Sequence, residues 1–401
     1  MARIVILLIS LLWGAPLYAL DLSFEGYGDM RLVAHSSQTS ATGGGLGKLR
    51  FGASDGALQF TDIVGQGRLQ LTPELGATLV ARIEPDRHGL VDVIEAYARY
   101  RPLSQSAWRW SLKLGAFFPP ISLENREIGW TSYWTLTPSA INSWVGEELR
   151  TIGTEARVEW RRPQGSVTLT GAIFGLNDPG GVMMADHGWA LQGRASGLFH
   201  RLRQPDAIAI LSGDPPPVTT PLFKEIDNRL GWYAALSWAE TGLGTANILY
   251  YDNNADSSKD VDEIYAWRTK FWNIGLKTSW KSITLMAQGM TGSTAITPAP
   301  NFTVTTDFDA AYILAGWEVK KWRLAARADI FKTWRHTSAG SSRKGESGHA
   351  ATFSASWLPL DWLRVTAEII HIDSTRPGRT IIGLDPGQRE TQGQFSARIY
   401  Y

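Results

Sequence analysis

The final eight residues of the chain, 394–401, alternate without exception. Gln394, Ser396, Arg398 and Tyr400 fall on one face of an extended strand, and Phe395, Ala397, Ile399 and Tyr401 fall on the other. Chain ends usually fray, so an amphipathic strand at a terminus must be held by a neighbour. A sheet whose last strand pairs with its first has no open edge. The ending therefore predicts a closed sheet in which this strand meets the segment starting at Leu22.

The same alternation recurs in segments of about ten residues, the length of a tilted strand that crosses a bilayer. Leu22, Phe24, Gly26, Gly28, Met30 and Leu32 oppose Ser23, Glu25, Tyr27, Asp29 and Arg31. Leu75, Ala77, Leu79, Ala81 and Ile83 oppose Thr78, Arg82 and Glu84. Ile94, Ala96, Ala98 and Tyr100 oppose Glu95, Tyr97, Arg99 and Arg101. Trp108, Trp110, Leu112, Leu114, Ala116 and Phe118 oppose Arg109 and Lys113. Segments from Ile152, Trp322 and Leu363 split the same way, with Glu155, Arg157, Glu159, Arg161, Arg323, Arg327, Asp329, Arg364 and Glu368 on the polar side. No charge falls on the apolar face of any of these segments. A Lys or Arg at the bilayer midplane costs about 2–4 kcal/mol, which explains that asymmetry. The charged faces predict a wet interior rather than a packed core.

Connections alternate in length. Short ones lie at 73–74, 102–107, 162–165, 241–244, 281–282 and 359–361. Long polar ones span 35–56, 119–148, 177–187, 253–263, 293–306, 336–347 and 374–389. Trp108, Trp160, Trp238, Trp280, Trp322 and Trp357 all sit beside short turns, where an interfacial aromatic belt is expected. The fold class is an all-β transmembrane antiparallel barrel of about 18 strands, with 16 as the runner-up and both termini periplasmic. The higher number takes the apolar run 207–211 as a strand and the Pro-rich 213–217 as loop. A barrel of about that size leaves an aqueous channel.

The start of the chain has the layout of a secretory signal peptide. Arg3 precedes an apolar run from Ile4 to Trp13, then Gly14, Pro16 and a small residue at Ala19. Cleavage is expected after Ala19, giving a signal peptide at residues 1–19 and a barrel at 20–401. Beyond that run no apolar stretch reaches the ~18 residues of a membrane helix. The chain has no Cys, which excludes disulfides, thiol chemistry and a lipoprotein anchor. Its net charge of +1 lacks the basic surplus of a nucleic-acid binder.

The aromatic-ended last strand resembles the C-terminal assembly signal of Gram-negative outer-membrane proteins, with Phe395, Ile399 and Tyr401 as its apolar residues. The loop 119–148 resembles the constriction loop that porins fold into the lumen. The resemblance implies a channel for passive diffusion of small hydrophilic solutes, narrowed by Glu124, Arg126, Glu127, Trp130, Glu147 and Glu148. The pore wall would carry Arg31, Arg68, Arg82, Arg99, Arg157, Arg194, Arg323, Arg327, Arg364 and Arg398, a weak basic surplus that would favour anions. Implied partners are outer-membrane lipids, lipopolysaccharide, the barrel-assembly machinery and, because porins are commonly trimers, two further copies of the chain.

Other chemistry is weak. Gly52-Ala53-Ser54-Asp55-Gly56 matches the nucleophile-elbow pattern but lies in a Gly-rich loop. His35, His88, His187, His200, His336, His349 and His371 show no metal-ligand spacing. The acidic loop 252–263 is oxygen-rich enough for Ca²⁺ yet lacks the turn glycine of an EF-hand, so it reads as solvated. We expect no enzyme, no cofactor and no metal. The alternatives are an outer-membrane lipase or esterase, and a polymer-export or structural barrel.

Overall fold

The computed structural model describes residues 21–83, 91–206 and 218–401. The signal segment 1–19, Glu84 and the apolar run 207–211 lie outside the described residues. The barrel strands are β1 (Asp21–Ala34), β2 (Leu58–Gln70), β3 (Leu75–Ile83), β4 (Val91–Tyr100), β5 (Trp108–Phe117), β6 (Thr151–Arg162), β7 (Gly165–Gly175) and β8 (Gly231–Glu240). They continue as β9 (Gly244–Asp252), β10 (Arg268–Trp280), β11 (Ile283–Ala299), β12 (Phe302–Val319), β13 (Trp322–Thr337), β14 (Ser342–Leu360), β15 (Leu363–Thr375) and β16 (Gly387–Tyr400). Each pairs with the next, antiparallel, and β16 closes on β1 with Tyr27 opposite Tyr400 and Ala34 opposite Gly393.

The closed sheet has 16 strands, the runner-up and not the 18 favoured by the sequence. β7 pairs directly with β8 from Gly231↔Phe174 to Glu240↔Gly165, so the sheet has no further strand between them. An apolar run flanked by turns looks alike whether it spans a membrane or not. Two expected long loops are also strands. Residues 293–306 and 336–347 continue β11–β12 and β13–β14 beyond the membrane band, with a two-residue hairpin at 300–301. Their Thr and Ser residues support the ladder on both faces, so polarity did not mean loop.

The outward face is apolar and exposed, as on Phe24, Leu114, Ile313 and Phe395. Trp108 stacks on Trp160 and Trp322 on Trp357 at the short-turn rim, with centroids 6.0 Å apart in each pair. At the other rim Tyr250 lies 5.3 Å from Trp232 and 4.9 Å from Trp272. Those two girdles bracket a band suited to lipid.

Two outward assignments fail locally. A bulge between Val80 and Ala81 puts an extra residue in β4 and turns Ile94 inward, where it is fully buried. Phe118 follows the last residue of β5 and turns into the lumen to stack on Trp130 at 3.9 Å.

The wet interior holds for only part of the wall. β7 to β12 point Phe174, Tyr233, Leu249, Tyr251, Phe271, Met286, Met290, Phe308 and Tyr312 inward, and all are buried. They pack against the helix α1 (Ala140–Glu148) and against Trp189, which come from long loops. The charged inner faces that suggested water belong to β1, β3–β6, β13 and β15.

Candidate pore lining and inner loop

The 119–148 loop lies inside the barrel because its turns and helix find partners on the wall. Leu123 sits against Gly275 of β10, where an added Cβ would come within 2.9 Å of it. Trp134 covers Gly316 of β12, where an added Cβ would lie 2.6 Å from the indole. Glycine at those two places lets the loop approach the backbone. Two wall carboxylates and one wall amide accept from the loop's polar groups. Glu368 accepts from Leu136 N at 2.6 Å and Thr137 N at 3.1 Å. Asp329 accepts from Ala140 N at 3.1 Å, and Gln288 Oε1 from Asn142 Nδ2 at 3.4 Å. Ser139 caps α1 by accepting from Asn142 N.

The residues expected at a constriction divide by role. Glu124 is buried and accepts from Ser139 N at 2.7 Å and Asn142 Nδ2 at 2.8 Å, with Arg327 at 3.4 Å. Glu127 forks with Arg364 at 2.8 and 3.0 Å, and Arg323 lies 3.7 Å away. Arg126 and Trp130 line open space. Glu147 and Glu148 end α1, away from that space. Glu148 accepts from Met183 N at 2.7 Å and Met184 N at 3.2 Å, joining α1 to the short helix α2 (Val182–Asp186).

The expected pore arginines are likewise mostly engaged. Arg398 binds Asp29 at 2.9 Å across the β1–β16 seam, and Arg31 binds the same carboxylate at 2.8 Å within β1. Arg82 donates to Ala195 O at 3.0 Å and Gly129 O at 3.1 Å. Arg323 lies over the Tyr133 ring at 3.6 Å. Arg194 is not on the wall at all. It sits in the 176–230 connection, beside the extended Leu191 that bridges Leu49. Arg68 and Arg157 line open space, and Arg99 is exposed near the short turns.

That open space is a cavity of about 780 Å³. Its walls are the short-turn halves of β1, β2, β4–β9 and β16, and its roof is loop residues 118–131. It holds Arg68, Lys113, Arg126 and Arg157 with Glu25, Glu95 and Glu127. Toward the long-loop rim the lumen is filled instead. Buried Glu346 accepts from Lys48 Nζ at 2.6 Å, Trp189 N at 2.5 Å and Arg376 Nη1 at 3.3 Å, drawing three loops to one carboxylate. Burial lowers the Lys48 ammonium to about 8 despite that partner. Nothing in the sequence marks this hub, since its members lie far apart and only tertiary packing unites them.

Burial, together with the neighbouring Glu148 carboxylate, pushes Glu147 up to about 8, and burial pushes Glu148 up to about 7. Both stand above the ordinary value of 4.5, so the docked helix holds protons that a released one gives up. That stabilisation is complete below the ordinary value and is lost as pH rises through about 7 to 8. Amide exchange across 140–148 should therefore be slower at about pH 5 than at about pH 9, after correction for intrinsic rates. Equal protection at both would contradict the prediction.

Three carboxylates of the 252–263 loop lie opposite cations. Asp252 meets Arg268 and Asp256 meets Arg229, both at 3.2 Å, and Asp262 lies 3.6 Å from Lys224. A different carboxylate group was not visible in the sequence: Asp178, Glu225 and Asp227 come within 4.8 Å of one another from distant parts of one connection. Ser54 is exposed in the turn before β2, without the following helix a nucleophile elbow needs.

No known family's sequence profile matches the chain, and no curated protein matches it. Solved structures do resemble it in shape. OmpTdeltaL8, a loop L8 deletion mutant of OmpT, an outer membrane protein of Vibrio cholerae, shares 12% identity over 96% of this chain and 100% of that one, with a TM-score of 0.53. The outer membrane channel DcaP of Acinetobacter baumannii shares 10% over 97% and 99%, at 0.54. An anion-selective porin from Comamonas acidovorans shares 10% over 95% and 100%, at 0.52. With its closed sheet and exposed apolar outer band, the protein has the β-barrel fold of these porins and outer-membrane channels.

Proposed function

We propose that the barrel is a channel for passive diffusion of small hydrophilic solutes, and that the 119–148 loop is its filter. The observation that carries this reading is the loop's position: it crosses the lumen, tied to Arg82 of β3 and to Gln288 of β11 on the opposite wall, and roofs a polar cavity that contains charges of both signs. Charged and hydrogen-bonding groups at such a narrowing select by size and charge. A weak anion preference follows from Arg126 and Arg157, which pair with no carboxylate among the described residues while Glu25 and Glu127 are paired. The short turns and both barrel termini would face the periplasm, after removal of residues 1–19. Transport, not catalysis, is the proposed activity. A homotrimer embedded among outer-membrane lipids and lipopolysaccharide is the proposed assembly, inserted by the barrel-assembly machinery; one solved structure of similar shape is described as a trimer form of OmpT.

Purified, heat-modifiable protein should give discrete ion conductance in planar bilayers, and the reversal potential in a KCl gradient should carry the sign of chloride preference. Absence of conductance would overturn the channel and favour a plugged, structural barrel, for which the filled long-loop half of the lumen would be the reason.

A further inference from the structure

The outward face of β11–β15 is hollowed rather than ridged. Two apolar depressions of about 700 and 750 Å³ lie there and meet at Ala315, Ala326 and Phe353. Alanine faces alanine across three successive ladders, in Ala315↔Ala326, Ala328↔Ala351 and Ala355↔Ala367. Exposed Leu285, Ile313, Phe353 and Ile369 stand around these small residues as walls. The result is one furrow that starts beside Ile283 and Trp317 at the short-turn rim and rises as far as Ala351.

The rim at its mouth is basic. The β10–β11 and β12–β13 hairpins turn on Lys281-Ser282 and Lys320-Lys321, and a bond from Glu318 N to Ser282 O at 2.9 Å sets the two turns side by side. All three lysines are exposed. The ammonium groups of Lys281 and Lys320 meet no carboxylate and no hydrogen-bond acceptor among the described residues, and Lys281 Nζ lies 4.6 Å from the Trp280 ring. Lys321 donates to Pro359 O at 2.5 Å. Glu318 is held on the lumen side, where it accepts from Tyr133 Oη and lies 3.7 Å from Arg323. Lys281 and Lys320 also have φ of +53° and +54°, positions that two-residue hairpins normally fill with Asn, Asp or Gly. Lysine at both places brings charge to this rim at a cost in backbone energy.

A positive rim at the level of exposed Trp280, Trp317 and Trp322, with an apolar furrow rising from it, complements a molecule with an anionic head and flexible hydrocarbon tails. We propose that this face is a docking site for an anionic phospholipid of the short-turn leaflet, with its phosphate between Lys281 and Lys320 and an acyl chain in the furrow. The inference rests on the reading of the apolar band as membrane-embedded and is independent of conduction. The charge at the mouth is what selects this occupant over a second copy of the chain, whose own rim here would bring like charge.

The test uses the full-length, heat-modifiable protein in vesicles of phosphatidylethanolamine and phosphatidylglycerol in equal amounts, with a photoreactive diazirine on an acyl chain of one lipid or the other. Cross-linked peptides are mapped by mass spectrometry. Phosphatidylglycerol should label 313–326 and 351–355 about fivefold or more above phosphatidylethanolamine, the factor that one lysine near an anionic lipid contributes. The excess should shrink in ~1 M KCl. Lys281→Gln with Lys320→Gln should abolish it. Ala326→Phe fills the furrow and should suppress labelling there by both lipids, with labelling around Leu112 and Leu114 of β5 unchanged. Equal labelling by the two lipids in the native protein would overturn the site. An unlabelled furrow beside a labelled β5 would give the face to a second copy and overturn it as well. No labelling on any strand would overturn it together with the membrane reading. Planar-bilayer conductance, read in parallel, separates the two proposals: conductance without the lipid preference removes only the site, and the preference without conductance removes only the channel.

Discussion

Arg327→Met is expected to free the 119–148 loop from the wall while the barrel itself stays closed. The guanidinium is buried and reaches both partners of a charged cluster, Asp329 at 2.8 Å and Glu124 at 3.4 Å. It also donates to Thr137 O at 2.7 Å and Pro138 O at 3.0 Å, just before α1 begins. Methionine fills similar space but leaves two buried carboxylates without a cation. Breaking one side of a buried ionic group costs about 3–5 kcal/mol. Moving the loop into water relieves that cost at once. The β12–β13–β14 ladders are backbone hydrogen bonds and do not depend on this side chain. Limited proteolysis should then cut within 119–148 in the variant and spare the native protein, with heat-modifiability retained by both. Single-channel current should become larger and noisier. Adding Glu124→Gln and Asp329→Asn should restore part of the protection, because neutral partners tolerate burial without the arginine. An Arg327→Met protein as protease-resistant and as quiet as the native one would show that the loop is held by its apolar contacts alone.

Removing Tyr401 is expected to lower the yield of folded barrel about fivefold or more while leaving the conductance of each folded barrel unchanged. Tyr401 N donates to Gly26 O and Gly26 N to Tyr401 O, both at 3.2 Å, and these are the last rungs of the closing seam. The ring lies on Gly26, where a Cβ would come within 2.3 Å of its hydroxyl, and packs 5.5 Å from Phe24. Two hydrogen bonds at ~0.5–1.5 kcal/mol each, with the apolar contact added, exceed the ~1 kcal/mol that corresponds to a factor of about five. Below this rim the seam is held by Asp29, which accepts from Arg31 at 2.8 Å, Ser396 at 2.6 Å and Arg398 at 2.9 Å. A barrel that does close therefore keeps its register. Gly26→Val should act in the same direction by displacing the ring. The comparison is between the heat-modifiable fraction in membranes and the current per inserted channel. Normal yield from the truncated chain would count against a role of Tyr401 in closure.

Residues on β1, β3, β6, β13, β15 and β16 show how far one-dimensional pattern reaches. Side chains alternate along a strand, and lipid forbids charge, so each Arg or Glu marks the inner face by itself. Arg31, Arg327, Arg364 and Arg398 were placed inward on that ground, and they lie there, engaged with partners from other strands and loops. β7 to β12 carry apolar residues on both faces, and alternation is silent there. Ile94 shows a second limit, because a bulge costs one residue and reverses the phase beyond it. Arg194 shows a third, because an extended loop inside a lumen has the same period as a strand in its wall.

The sequence by itself determined the class of fold, the inner and outer faces of the charged strands, and the pairing of the last strand with the first. All three follow from local alternation and from the cost of charge in lipid, which act within a few residues. Tertiary structure alone decided the 16-strand closure, the dry half of the lumen, the Glu346 hub and the cavity under the loop. Each of these depends on residues far apart in the chain meeting in space. Glu124 and Arg327 are separated by 203 positions, and Lys48 and Glu346 by 298. No local pattern encodes such meetings, because the energy that selects them exists only once the sheet has closed around the loops.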